Sequence, residues 1–180
     1  AGDGIFTRRG SQTTWGAWRE FIIKDTSGNI SPNGVYLGGT SSTNLLDYYQ
    51  EGTWSPVLGW TGGGNYSMVG ITSGEWTRIG NMVFVNCELS WSGFSGSSAG
   101  ELRVSGLPFA SSSFSRQAGS ISAVSSGLTF STANYTSWTI TIDAAQSQFY
   151  IIQQGNTYSH QPVVGNSGTI YSISLAYKTS

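Results

Sequence analysis

The chain reads as all-β, and three observations carry that reading. Helical periodicity is nearly absent, Gly- and Asn-rich breakers recur at intervals of about 8–12 residues, and one run, Gly74 to Trp91, alternates on both sides of a Gly80-Asn81 pair. Glu75, Thr77 and Ile79 alternate with Trp76 and Arg78 before that pair. After it, Val83, Val85, Cys87, Leu89 and Trp91 share an apolar face with Asn86, Glu88 and Ser90 opposite. Period-two alternation around a two-residue turn containing glycine marks a β-hairpin, because the backbone twist of that turn matches the twist of the strands it joins.

Taken in order, the elements fall into two regions, residues 1–53 and 54–180. Residues 5–25 read as two extended pieces around Gly10-Ser11-Gln12, the second ending in Trp15-Gly16-Ala17-Trp18-Arg19-Glu20-Phe21-Ile22-Ile23. Turns follow at Ser27-Gly28-Asn29 and Pro32-Asn33-Gly34, then a short extended Val35-Tyr36-Leu37 before Gly38-Gly39. The exception to the β pattern is 43–49, where Thr43 or Asn44 is placed to N-cap a short helical turn. Leu45, Leu46, Tyr48 and Tyr49 make that turn apolar nearly all round, so it needs burial from several sides. No core is evident before Trp54, and contact with other copies of the same chain would supply one. From Trp54 onward the texture is strand, turn, strand, with expected strands at 55–60, 65–72, 75–79, 82–91, 101–105, 120–124, 127–131, 138–143, 148–153 and 169–177. That spacing predicts a β-sandwich of jelly-roll type. In it Trp138, Ile140 and Ile142 face inward, as do Tyr171, Ile173, Leu175 and Tyr177.

Composition narrows the function. Charged residues are 9% of the 180, against about 25% in ordinary soluble domains, and the formal net charge is -1, so no field draws the chain to nucleic acid or to anionic lipid. No apolar run is long enough to span a bilayer, so no membrane insertion is expected, and no signal-peptide pattern is present. The opening Ala1-Gly2-Asp3 reads as the start of a fragment of something longer. The single cysteine, Cys87, excludes an internal disulfide and belongs to a buried strand face.

The residues that catalysis would need are scarce. His160 is the only histidine, and no G-x-S-x-G elbow leads into a helix to make it part of a triad. Glycoside hydrolysis needs two convergent carboxylates. Past Glu101 the only acid is Asp143, while Glu75 and Glu88 alternate against apolar faces and read as solvated. Neither a zinc cluster nor a calcium loop is written in the sequence, and no metal or cofactor is expected. Aromatic faces and neutral polar side chains remain, which suit the C–H faces and hydroxyls of sugars. Trp76, Trp91 and Trp138 lie on strands and are expected in the core. Trp60, Phe94, Tyr135 and Tyr158 lie in or beside loops, with Asn156 and His160 nearby, and these six are the candidate carbohydrate contacts.

A family resemblance accompanies these readings. Asn44-Leu45-Leu46-Asp47-Tyr48-Tyr49-Gln50-Glu51-Gly52-Thr53-Trp54-Ser55-Pro56 resembles the L-D-D-Y-E-E-G-T-W-T-P signature of phage tail fibres and tailspikes. Glu75-Trp76-Thr77-Arg78-Ile79-Gly80-Asn81-Met82-Val83 is similar to their G-x-Y-T-K-I-G-N-x-V hairpin, and Gly106-Leu107-Pro108-Phe109 to their G-L-P-F element. Trp15-Gly16-Ala17-Trp18-Arg19-Glu20 is similar to the W-x-x-W-R-E of fibre shafts. Trp76 stands for the family's Tyr and Tyr48 for its second Asp, and the last third of the chain carries no family motif. The resemblance implies the C-terminal region of a homotrimer, with an intertwined stem and a receptor-binding tip. Trp15, Trp18, Leu45, Leu46, Tyr48 and Tyr49 are then the expected trimer contacts. It implies a virion component, assembled in the host cytoplasm beside upstream fibre and tail proteins, that binds a bacterial surface polysaccharide such as lipopolysaccharide or capsule. Two rivals stand beside this expectation: a tip that only trimerises and registers the fibre, and a depolymerase with carboxylates shared between subunits. An unrelated secreted lectin module is a third.

Overall fold

The computed structural model describes residues 48–70, 72–113 and 116–180, together with 6–7, 10–11, 14–15, 19–20, 35–37, 41–42 and 45–46. Among these residues the named elements are all strands and none is an α-helix, with Ser42 in a 3-10 turn. Contacts divide the chain into Ala1–Asp47 and Tyr48–Ser180. The division falls before the boundary at 53 expected from sequence, because residues 49–54 form a strand that pairs within the second unit.

Among its described residues the first unit shows three small antiparallel ladders. β1 (Phe6–Thr7) pairs β4 (Arg19–Glu20), and β2 (Gly10–Ser11) pairs β3 (Thr14–Trp15) inside it, so the described residues nest as one hairpin. β5 (Val35–Tyr36) pairs β6 (Leu45–Leu46). The expected helical turn is thus not formed: Leu45 and Leu46 are extended against Tyr36 and Val35. A short apolar run fits helix and strand equally by pattern, and here cross-strand pairing decides. Of the expected trimer contacts, Leu45 and Leu46 are half-buried, Trp15 has its backbone in β3, and Trp18 lies outside the described residues.

The second unit is one continuous sheet of 11 strands. They are β7 (Tyr49–Trp54), β8 (Val57–Trp60), β9 (Asn65–Met68), β10 (Ser73–Ile79), β11 (Met82–Ser95), β12 (Leu102–Ser105), β13 (Gln117–Thr129), β14 (Tyr135–Ile142), β15 (Gln148–Gly155), β16 (Tyr158–Ser159) and β17 (Val163–Lys178). The ladder runs β9-β8-β12-β15-β14-β13-β17-β11 and returns to β9, so the two walls of the expected sandwich belong to a single closed ladder. β11 makes this possible by length: Met82 to Glu88 pair with β10, and Trp91 to Ser95 pair with β9 on the way to closure. The expected hairpin is present, with Ile79 opposite Met82 and Gly80 at φ +57, the left-handed region that a two-residue turn led by glycine requires.

The core fills the interior of this ring with Trp54, Leu58, Leu89, Trp91, Leu102, Ile140, Ile142, Phe149, Ile173 and Tyr177 among others. Ile140 and Ile142 face inward as expected, while Trp138 is half-buried and stacks on Phe130 at 4.4 Å. The last strand departs from strict alternation. Cys87 pairs Ile173 but Leu89 pairs Ile170, so Tyr171 and Ser172 together oppose Glu88. That β-bulge flips the phase, burying Ile170 completely and leaving Tyr171, expected inside, 56% exposed. The expected strands 120–124 and 127–131 are one strand, β13, which passes Gly127 at φ +79 with several register shifts against β17.

The registers sort the connections into two poles. Tyr48, the hairpin tip at Gly80-Asn81, residues 105–112, residues 143–147 and Thr179 share one pole, called the base here, where Gly80 N donates to Tyr48 O and Thr179 N to Asn81 O, both at 2.9 Å. Residues 61–64, 95–101, 130–134 and 155–163 gather at the other, the rim.

Candidate functional site

The rim is a set of loops zipped to one another by backbone hydrogen bonds. Gly62 N donates to Ala99 O and Gly64 N to Ser97 O, each at 2.9 Å, and Thr61 N reaches Glu101 O at 3.0 Å. The 95–101 loop is tied in turn to the next one: Leu102 N donates to His160 O at 2.9 Å, and Gln161 Nε2 to Gly100 O at 3.1 Å. Beneath them lies Gln153, the only fully buried polar side chain among the described residues. Its Oε1 accepts from Ser131 N at 2.9 Å, and its Nε2 donates to Ser131 Oγ at 2.6 Å and Gln161 O at 3.2 Å. A buried amide must satisfy its hydrogen-bonding atoms, so Gln153 fixes two loops at once.

Between these loops opens a cleft of about 510 Å³. Trp60, Tyr66 and Phe94 form one side, and Gln161, Pro162 and Val164 the other. Trp60 Nε1 donates to Tyr66 Oη at 3.4 Å, and the Tyr66 and Phe94 rings meet at 4.8 Å, tilted by 42°. Burial raises the Tyr66 hydroxyl pKa, offset in part by the indole N–H of Trp60. Phe94 lies over Gly64, where an added methyl would collide with the ring and with Ser97 O.

The six residues expected to contact carbohydrate all occur at the rim, in two groups. Trp60 and Phe94 line the cleft. Trp60 ends β8 beside the 61–64 loop, as expected, but it is only 5% exposed opposite Leu102, so it acts as a floor. Phe94, expected in or beside a loop, is half-buried within the last residues of β11. Tyr158, 65% exposed, stands edge-on to His160 at 5.9 Å, and Tyr150 packs on His160 at 5.8 Å. His160 Nδ1 lies 3.0 Å from Glu101 Oε1 but out of line for a hydrogen bond, so the contact is electrostatic whenever the ring is protonated. Tyr135 is half-buried, its hydroxyl 3.5 Å from Thr157 Oγ1, and Asn156 is exposed with its N–H donating to Asn134 O at 3.3 Å. Tyr66, Gln153 and Gln161 were missed. Alternation alone makes Tyr66 and Gln153 ordinary strand residues, and only the pairing of distant strands brings Tyr66 against Phe94 in the cleft and Gln153 beneath its loops.

A larger concavity, about 570 Å³, runs along the outer wall between β10, β11, β17 and β13, past Phe84, Asn86, Ser120 and Ser174. Its floor is sheet backbone, without converging loops, which makes the smaller rim cleft the better ligand site. Glu75 and Glu88 share another wall concavity, of about 370 Å³, with Tyr171. Glu101 does not join them, being held at the rim beside His160. Cys87 is buried, and desolvation pushes its thiol up to about 12, which leaves it without nucleophilic thiolate.

The base has a different character. Arg78 stands over the Tyr48 ring at 4.1 Å and the Phe109 ring at 5.0 Å, and Trp76 meets Phe109 edge-on at 5.0 Å. Tyr48, expected at a subunit contact, therefore gives one face to Arg78, whereas Tyr49 is 60% exposed. Trp76, expected in the core, is half-buried in this stack. Tyr177 Oη donates to Phe109 O at 2.9 Å.

No protein-family model matches the chain, and no curated protein matches it in sequence. In fold it is similar to the crystal structure of the Dettilon tailspike protein, with a TM-score of 0.56 at 15% identity. The match covers 72% of this chain and 24% of that one, so the chain spans less than a quarter of the tailspike's length. At that identity the likeness establishes a shared fold.

Proposed function

We propose that the chain is a receptor-binding region of a phage tail fibre or tailspike, part of the virion, whose rim recognises a bacterial surface polysaccharide without cleaving it. The observation that carries the reading is the rim cleft: Phe94, Tyr66 and Trp60 face Gln161 across loops pinned at both ends. Aromatic faces pack on the C–H faces of sugars, while the amide and hydroxyl groups around them answer sugar hydroxyls. Loops braced before the ligand arrives lose little entropy on binding. The fold likeness to a tailspike and the motif series supply the biological setting. A homotrimer fits both: the strands described in the first unit are two residues long, and three weak sites on one fibre gain through avidity.

The test is binding of the full chain to polysaccharide from susceptible bacteria. Phe94→Ala is expected to weaken binding about tenfold, close to 1.4 kcal/mol. Of Tyr158→Ala and Tyr135→Ala at least one should weaken adsorption while both fold. The polysaccharide should keep its length on prolonged incubation. Shortened chains would replace this reading with a depolymerase, and a single protomer by solution mass would remove the trimer.

A further inference from the structure

We infer that the rim selects uncharged sugar units and discriminates against acidic ones, an inference that rests on the reading of the rim as a glycan site. The sign and placement of charge in the second unit point this way. Residues 61–64, 95–101, 130–134 and 155–163 contain no lysine or arginine. Arg78, Arg116 and Lys178 all belong to the base, beside the hairpin tip and the base ends of β13 and β17. Arg103 is the basic residue nearest the rim, and it turns along the wall away from the loops, Nη1 donating to Gln148 Oε1 at 2.7 Å.

What ionisable groups the rim does have are the Glu101 carboxylate and the His160 imidazole, 3.0 Å apart. With the imidazole neutral the pair carries one negative charge. With it protonated the two cancel. In neither state does the rim offer a net positive charge to a uronate, a phosphate or a carboxylate-bearing sugar. An anion placed in the cleft would lose hydration without a cationic partner, since neither lysine nor arginine lines it. A neutral hexose or N-acetylhexosamine meets no such penalty. It can lie on Phe94 and satisfy its hydroxyls at Ser98, Gln161 and Asn166. The rim therefore reads sugar shape and hydroxyl pattern on uncharged repeat units.

The experiment uses the full chain on an array of bacterial O-polysaccharides, some with neutral repeats and some carrying uronate or phosphate. Binding is measured at about 20 and about 500 mM NaCl, which spans strong to weak screening. The expected result is binding confined to neutral repeats, changing less than about twofold with salt. Ser98→Lys, which adds a cation at the cleft mouth, should then gain acidic repeats about tenfold, in a salt-sensitive way. Preference of the unmodified chain for acidic repeats, lost at high salt, would overturn the inference and leave glycan recognition standing. Neutral binding with no gain from Ser98→Lys would overturn its location in this cleft. No binding to any polysaccharide would overturn the proposed function itself, and this inference with it.

Discussion

The two poles of the second unit are built from different chemistry. The base is sealed by a stack of Tyr48, Arg78, Phe109 and Trp76, with Trp54 buried behind it against Phe149. The rim is made of glycine, serine, threonine and asparagine loops held by one buried amide, with aromatic rings at the cleft and beside it. Every segment of the second unit that resembles the tail-fibre pattern, from Tyr48 through Trp54 to the Gly80-Asn81 hairpin and Gly106-Leu107-Pro108-Phe109, leads to the base. The motif residues are thus the structural seal, and the part of the sequence with no recognisable pattern builds most of the rim. The resemblance thus reports how the domain is closed, and on the proposed function the chemistry of the other pole decides what is bound.

The comparison can be broken most forcefully at Trp54. Its ring is 7% exposed, edge-on to Phe149, with Nε1 donating to Asn86 O at 3.3 Å. Trp54→Ala should cost about 3–5 kcal/mol in urea unfolding, and an undisturbed stability would mean the base does not seal the core. Alkali tests the same half. Burial raises Cys87 from 9.0 and Tyr177 from 10.0, each to about 12, with the Arg78 charge working against the rise at Tyr177. Both groups are neutral in the folded state, so their contribution is complete below the unfolded values and drains away as pH climbs from 9 towards 12. Cys87→Ala should flatten part of that decline in a pH series of unfolding midpoints.

Gly64→Ala probes the rim, where the methyl must displace Phe94 or the Ser97 carbonyl. The expected cost is about 1–3 kcal/mol, accompanied by weaker glycan binding. A neutral outcome in both would detach Phe94 from the cleft. Arg78→Ala removes the cation from two rings and should cost about 0.5–2 kcal/mol, with adsorption per folded molecule unchanged. Tyr158→Ala sits at the small end for stability, within about 0.5 kcal/mol, since the ring is 65% exposed. Its effect should appear in binding alone, and the reverse pattern would exchange the roles of the two poles.

Local pattern carried much of this architecture. The Gly80-Asn81 hairpin followed from turn chemistry, and Ile140, Ile142, Ile173, Leu175 and Tyr177 from alternation. Alternation failed where the backbone gains a residue: nothing in Ile170-Tyr171-Ser172 announces a bulge, because the bulge depends on the partner strand. Leu45 and Leu46 misled for a related reason, since their strand is set by Val35 and Tyr36. The candidate site was legible as residue types near loops. Its assembly was not, because Tyr66 meets Phe94 only when β9 pairs with β11, and Glu101 meets His160 only through the pairing of β15 with β12 and β16.

The return of the ladder to β11 has a practical meaning. Apart from the short β16 carried within 155–163, which pairs β15 alone, the rim loops join strands whose neighbours on both sides are already fixed, so exchanging residues in one loop leaves no ladder strand free to slide. Such a frame can acquire a new specificity by trading loops while its hydrogen-bond pattern stays in place, and a library varied only at 95–101 and 155–163 should yield folded members with altered ligands.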